Sequence, residues 1–117
     1  MPGALAPHLA AIRAAEYPRF PAEEMVRRRA ALAGEMARAG ADVVLVCGES
    51  RAGGAVGWLT GWPVTAEAVA VFQPPHPELL FVQYYNHVPL ASRVAACEAR
   101  WAGHSTVATV IGELDRH

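Results

Sequence analysis

The side chains that would bind a catalytic metal are few in this sequence and poorly spaced. Asp42 and Asp115 are its two aspartates. None of the five histidines forms an HExxH motif or another pair four residues apart, the spacing that puts two ligands on one helix face. We therefore predict no complete metal centre in this chain and expect most of the histidines to lie on the surface. The five are His8, His76, His87, His104 and His117.

One histidine stands in a more promising context. Tyr84, Tyr85, Asn86 and His87 follow a predicted strand, and α/β proteins place ligand contacts where strands end. One interpretation is that Asn86 caps a helix and the tyrosines pack. The other makes His87 a candidate binding residue, and its extreme form is a small enzyme that uses His87 and the tyrosines.

The candidate nucleophiles lack the partners that nucleophilic catalysis needs. Cys47 ends an apolar run and Cys97 falls on an apolar helical pattern, so we predict two small core residues. Their separation fits reduced thiols in a cytosolic protein better than a disulfide scaffold. The serines lack a G-x-S-x-G elbow, and the glycine-rich stretch 48–57 lacks GxxxxGK[ST]. We interpret that stretch as a flexible connection rather than a phosphate site.

Length and composition limit the class of protein. The 117 residues fit one domain, and 53% hydrophobic residues can form a core. A formal net charge of −1 gives no reason to expect nucleic acid or anionic lipid as a partner. No apolar run approaches the roughly 18 residues of a membrane span. Pro2, Pro7 and His8 interrupt any signal-peptide pattern, so we expect a cytoplasmic protein.

The first half of the chain predicts an arm, a helix and a strand. Residues 1–19 hold a weak helical pattern that Pro7 interrupts, which predicts an arm or a short helix. The spacing over 21–39 predicts an amphipathic helix that begins at Pro21 and is closed by Gly40. The apolar run from Val43 to Cys47 predicts a strand buried on both faces.

The second half predicts a hairpin and two helices. The apolar segments 68–72 and 79–84, separated by a proline-rich turn, favour an antiparallel hairpin. A helix is predicted over 87–99, with Asn86 as its cap, and its apolar spacing extends to Trp101. A last helix is predicted over 105–117, and it carries an apolar stripe of four residues: Val107, Val110, Ile111 and Leu114. This alternation predicts the α/β class.

Two segments resemble a known family. The pattern Phe20, Glu24, Met25 and Arg28, then Gly40-Ala41-Asp42 and an apolar strand, resembles the opening of creatinase-type N-terminal domains, F-x-x-x-E-[YF]-x-x-R followed by G-[IV]-D. The segment 58–62, Trp-Leu-Thr-Gly-Trp, is similar to the family's Y-L-T-G-F. The hairpin and the two later helices also follow the family order.

This resemblance to the creatinase, prolidase and Xaa-Pro aminopeptidase family covers residues 20–117, preceded by the arm 1–19. It implies a three-layer α/β/α domain with a mixed, six-stranded sheet of ribonuclease-H-like topology, here ending before its last strand. In the family this domain precedes a pita-bread catalytic domain. That domain binds two divalent metal ions in prolidases and aminopeptidases, through two Asp, one His and two Glu, and is absent from this chain.

The resemblance implies a non-catalytic accessory domain of a Xaa-Pro peptidase or creatinase-like hydrolase. Its role would be dimer assembly and shaping a substrate entrance for a proline-containing peptide or creatine-like substrate. The candidates for the entrance are Arg51, which would pair with a carboxylate, and Trp58 and Trp62, which would form an apolar wall. We expect Trp62 to be partly exposed and Leu59 buried. The alternative is a protein-binding module on the same fold without hydrolase activity.

Overall fold

The computed structural model describes residues 6–14 and 19–117. The helices are α1 (Pro7–Ala14), α2 (Ala22–Ala39), α3 (Gly54–Thr60), α4 (Val88–Val94) and α5 (Thr106–Leu114). The strands are β1 (Val44–Gly48), β2 (Ala68–Phe72), β3 (Leu79–Val82) and β4 (Glu98–Trp101). A short 3₁₀ turn, Tyr85–His87, precedes α4.

The strands form one four-stranded mixed sheet in the order β1-β2-β3-β4. β1 and β3 both run antiparallel to β2, as the predicted hairpin requires. β4 pairs with β3 in parallel, with Leu80 opposite Ala99. A parallel neighbour needs a crossover connection, and α4 supplies it. The α/β class is confirmed.

The prediction for α2 is confirmed at both ends. The helix begins directly after Pro21, and Gly40 follows it in the left-handed conformation, at φ 70°. The Gly40 amide donates to the carbonyl oxygen of Ala37, and the Ala41 amide donates to that of Met36 at 2.9 Å. These bonds close the last turn of the helix, and glycine reaches this conformation without steric cost.

Helices cover both faces of the sheet. The first face packs against α2, α3 and α4, in a core cluster that includes Met36, Leu59, Leu80 and Val94. The second face packs against α5, and Phe81 and Val110 belong to its cluster. Residues of β2 and β3 alternate between the two faces and are buried on both, as expected for central strands.

The predicted strand at 43–47 exists, but the prediction that it is buried on both faces is wrong. β1 is an edge strand. Its side chains alternate between half-buried Val44 and Val46, which pack on the first face, and exposed Leu45 and Cys47. The second-face cluster around α5 contains residues of β2 and β3 and reaches only as far as Val43, just before β1. The second face of β1 itself therefore stays open. Cys47 is therefore exposed and not a core residue.

The predicted helix over 87–99 is wrong in its second half. α4 ends at Val94, and β4 follows at Glu98. Cys97, Ala99 and Trp101 are spaced by two residues, so the same stretch also satisfies a strand pattern. Pairing with β3 decides in favour of the strand. Cys97 precedes this strand and is half-buried.

Two smaller predictions need correction. The glycine-rich connection becomes helical at Gly54, where α3 starts. The last helix is confirmed, with Ser105 accepting a hydrogen bond from the Ala108 amide at 3.2 Å, but its apolar stripe is divided. Val110 is buried, whereas Val107 and Ile111 are 69% and 52% exposed.

No helix in the described part of the chain is long and apolar enough to cross a membrane.

Candidate functional site

The two segments that carry the family resemblance meet at Arg28. Its Nε donates to Glu24 Oε2 at 2.7 Å, and its Nη1 donates to the carbonyl oxygen of Trp58 at 2.8 Å. The guanidinium carbon lies 4.0 Å from the centre of the Phe20 ring and 5.5 Å from that of the Trp58 ring. Arg28 is buried. It thus joins the start of α2 to α3 by a salt bridge, a hydrogen bond and two cation–π contacts.

Glu24 completes this arrangement, which we call the Arg28 clamp (Phe20, Glu24, Arg28 and Trp58). Hydrogen bonds from Arg27 and Arg28 lower the pKa of Glu24 to about 2, so its carboxylate is charged at neutral pH. The planar guanidinium suits both the carboxylate and the flanking rings, which an ammonium group would match less well. Through its bonds to Glu24 and to the Trp58 carbonyl oxygen, Arg28 holds the first turns of α2 against α3.

The end of α3 explains the Leu-Thr-Gly sequence. Leu59 is 1% exposed, as predicted. Thr60 Oγ1 donates to the Val56 carbonyl oxygen at 2.7 Å and accepts from the Trp62 amide at 3.1 Å. Gly61 ends the helix at φ 82°, in the left-handed region that favours glycine. The motif therefore forms a helix end whose side chains face the core.

The two tryptophans of this segment have different surroundings. Trp58 is 39% exposed on α3 and belongs to the Arg28 clamp. Trp62 is only 3% exposed, so the expectation that it is partly exposed is wrong. Gly61 does bend the chain, but the bend directs Trp62 into the cluster on the first face of the sheet. A side chain this deeply buried contacts core residues and not a bound molecule.

His87 lies at the end of the sheet among aromatic rings. Its ring centre is 6.1 Å from that of Trp62 and 5.3 Å from that of Tyr84, the latter edge to face. A second series of edge-to-face contacts joins Tyr85 to Trp101 at 5.6 Å and Trp101 to His104 at 5.1 Å. His87 is half-buried, and its own side chain makes no capping bond to α4. We call this group of rings the aromatic surface; its members Tyr84 and Tyr85 are exposed.

The four candidate site residues do not form one cluster. Described ring contacts bring Trp62 and His87 together. Trp58 instead faces Phe20 and Arg28, and Arg51 is exposed in the turn before α3. Of the two tryptophans in the segment 58–62, Trp58 is the one that a second molecule can reach.

Sequence reasoning missed a buried carboxylate. Glu78, just before β3, accepts a hydrogen bond from Arg29 Nε at 2.9 Å, while its Oε1 is buried without a hydrogen-bond partner among the described residues. Burial raises the pKa of Glu78. Burial and the neighbouring Glu78 carboxylate also raise the pKa of the Cys97 thiol, which makes it a poor nucleophile. The sequence did contain a signal for this buried carboxylate, since a glutamate stands directly before an apolar strand.

A cleft of about 590 Å³ lies between α2 and the ends of α3 and α4. Phe20 and Val26 form its apolar rim, and both are more than half exposed. Its two arginines already have partners: Arg19 donates to the Arg93 carbonyl oxygen at 2.8 Å, and Arg29 donates to the Ala96 carbonyl oxygen at 2.7 Å. The cleft therefore offers a ligand mainly apolar surface next to the Arg28 clamp, and little free charge.

No group of three or more His, Cys, Asp or Glu side chains is placed to hold a metal ion within the described ranges. Comparison with known proteins adds no relative: no protein-family model matches the chain, and the search of curated proteins finds no significant match. Function is therefore inferred from the sequence motifs and the geometry described above.

Proposed function

We propose that this chain is a non-catalytic N-terminal accessory domain of a Xaa-Pro peptidase or creatinase-like hydrolase, with ribonuclease-H-like topology, acting in the cytoplasm. It would assist homodimer assembly and shape the substrate entrance of a separate catalytic domain. Divalent metal ions, where the hydrolase uses them, would bind in that catalytic domain, together with the proline-containing peptide or creatine-like substrate.

The observation that supports this proposal best is the Arg28 clamp. The two family-like segments lie thirty residues apart, yet Arg28 of the first donates to the main chain of the second. Phe20, Glu24 and Arg28, the residues of the F-x-x-x-E-x-x-x-R pattern, all contact one another or Trp58. A set of motif residues that forms one contact network is a stronger argument than the same residues scattered over the surface.

The entrance role falls to Trp58 and not to Trp62. Exposed apolar side chains lie near the junction of α2 and α3: Trp58 on α3, Val26 on α2, and Phe20 just before α2. Large apolar residues that stay exposed are frequent contact sites for ligands or subunits. Arg51 is exposed on the turn that leads into α3 and keeps its proposed role of pairing with a carboxylate.

Two experiments test the proposal. The purified 117-residue chain, supplied with Mn²⁺ or Zn²⁺, should not hydrolyse a Xaa-Pro dipeptide or creatine; metal-dependent turnover would overturn the non-catalytic role. Sequencing the reading frame downstream of residue 117 should find a domain with two Asp, one His and two Glu as metal ligands. A continuation that lacks these ligands would overturn the assignment to a metal-dependent Xaa-Pro peptidase.

The second candidate is a protein-binding module on the same fold. The observation that favours it is the aromatic surface, where Tyr84 and Tyr85 are 51% and 72% exposed. Exposed tyrosines and tryptophans are enriched where proteins bind each other. If the downstream ligands are missing, Tyr85→Ala should weaken binding to a protein partner without lowering the melting temperature, with exposed Leu90→Ala as the control.

A further inference from the structure

The outer edge of β1 has features of an unfinished sheet. β1 is the terminal strand, and no described hydrogen bond reaches Val44–Gly48 from any element other than β2. The strand contains no charged residue and no proline, the devices that normally keep an edge strand from pairing. Such an edge can accept a further antiparallel strand.

An uncovered apolar strip lies beside this edge. Leu45 and Cys47 pair in register with Val71 and Val69, so they belong to the second face of the sheet. Leu45 is 44% exposed, and Cys47 is exposed. A new strand paired to β1 would cover these two side chains.

Helix α5 leaves the strip open because it lies toward the opposite edge. Thr109 Oγ1 donates to the Ala102 carbonyl oxygen at 2.6 Å, and Arg100 of β4 forms a salt bridge with Glu113. The opposite flank of α5 carries the exposed Val107 and Ile111. On a helix with 3.6 residues per turn, this flank points away from β4 and toward the β1 side. Apolar side chains therefore border the open strip.

We infer that β1 is a dimerisation edge, which pairs antiparallel with β1 of a second copy around a two-fold axis. The inference deepens the assembly role of the proposed function and rests on it only for its biological purpose. A strand pairs with its own copy only if its sequence is self-complementary. With Val46 on the axis all five residues of β1 pair, and Leu45 lies opposite Cys47 of the second copy. Four apolar side chains would then close the strip.

Charges of both signs lie next to β1 in this register. Asp42 precedes the strand, and Arg51 lies in the turn that follows it. Antiparallel pairing around Val46 brings Asp42 of one copy next to the turn that carries Arg51 of the other, at both ends of the interface. Glu49 lies in the same turn as Arg51 and is also exposed, so its carboxylate partly offsets the Asp42–Arg51 attraction. An exposed pair of this kind contributes only about 0–1 kcal/mol, and the register therefore depends on the apolar pairing of Leu45 with Cys47.

The first test is the oligomeric state, measured by sedimentation equilibrium at tens of micromolar. Wild type should have twice the 12.5 kDa mass of one chain, and Leu45→Lys should have half the wild-type mass. Leu90→Lys is the matched control, since Leu90 is similarly exposed, at 52%, but lies on α4; it should stay dimeric. A monomeric wild type, or a Leu45→Lys protein as dimeric as wild type, would overturn the inference.

The second test measures the register and does not depend on whether Leu45→Lys folds. Directly opposite residues suit a disulfide, whereas diagonal ones lie about 7–8 Å apart, too far to bridge. In a Cys97→Ala background, Leu45→Cys should therefore cross-link to Cys47 of the second copy on mild oxidation. Two controls in the same Cys97→Ala background should not cross-link. One retains Leu45, and the other carries both Leu45→Cys and Cys47→Ala. Absence of the first cross-link, or equal cross-linking in all three, would overturn the inference.

Failure of this inference is distinguishable from failure of the proposed function. A dimer that survives Leu45→Lys uses another surface and leaves the assembly role standing. A wild-type monomer removes the β1 interface but does not affect the tests of turnover and of downstream metal ligands.

Discussion

The two faces of the sheet differ most at β1. On the first face, where α2, α3 and α4 pack, Val44 and Val46 are half-buried, and the cluster extends to Trp62 at 3% exposure. On the second face, where α5 packs alone, Leu45 and Cys47 of the same strand are exposed. The same apolar strand is thus core on one side and surface on the other. Coverage by helices, and not the composition of the strand, makes the difference.

This comparison separates structural residues from contact residues. A large side chain under the three helices has many packing partners, and its removal leaves a cavity. A comparable side chain on the uncovered part of the second face has few partners to lose, so its removal should affect association more than folding.

The largest effect should come from the first face, at Trp62. Trp62→Ala should lower the free energy of unfolding by about 3–5 kcal/mol, because it empties a fully buried site. Trp58→Ala, the control from the same segment, should cost no more than about 1.5 kcal/mol, since Trp58 is 39% exposed and loses mainly its contact with Arg28. Denaturant unfolding of both variants measures the difference. Equal losses would contradict the separate surroundings that we assign to the two tryptophans.

A smaller effect should appear on the second face, within α5. Val110→Ala should cost about 1–2 kcal/mol, because Val110 packs against the sheet and two methyl groups are lost from the core. Ile111→Ala, one residue further along, should change stability by less than about 0.5 kcal/mol, as is usual for exposed positions. Thermal melts of the two variants, recorded at protein concentrations too low for dimerisation, measure the difference. A larger loss at Ile111 would mean that α5 packs on the sheet through its other flank.

The smallest effect should be a pH dependence at Glu78. Burial raises the folded-state pKa of Glu78 above its ordinary value, so the unfolded chain gives up this proton first as the pH rises toward neutrality. The contribution of Glu78 to stability is therefore present at low pH and is lost as the pH rises through its folded-state pKa. The Glu78→Gln variant should not lose stability in this way. Its melting temperature should therefore rise relative to that of wild type as the pH increases toward 7. The exposed Glu49→Gln is the control; an unchanged difference across the pH range would refute the assignment.

Local patterns predicted the elements whose partners are close in the chain. The 21–39 spacing with Gly40 predicted α2, the proline turn predicted the β2–β3 hairpin, and the apolar spacing over 105–117 predicted α5. The motif residues Glu24 and Arg28 are one helical turn apart, so their salt bridge also follows from the sequence. The contact of Arg28 with Trp58 does not, because it joins separate elements.

Tertiary structure decided the features that depend on what packs against a segment. The stretch 95–101 satisfies both a helical and a strand spacing, and pairing with β3 selected the strand. Cys47 and Trp62 are equally plausible core residues by type, yet one is exposed and the other buried, because α5 does not extend over β1 while three helices cover the first face. A residue's type sets the free energy it gains on burial, but only the arrangement of elements determines whether that burial occurs.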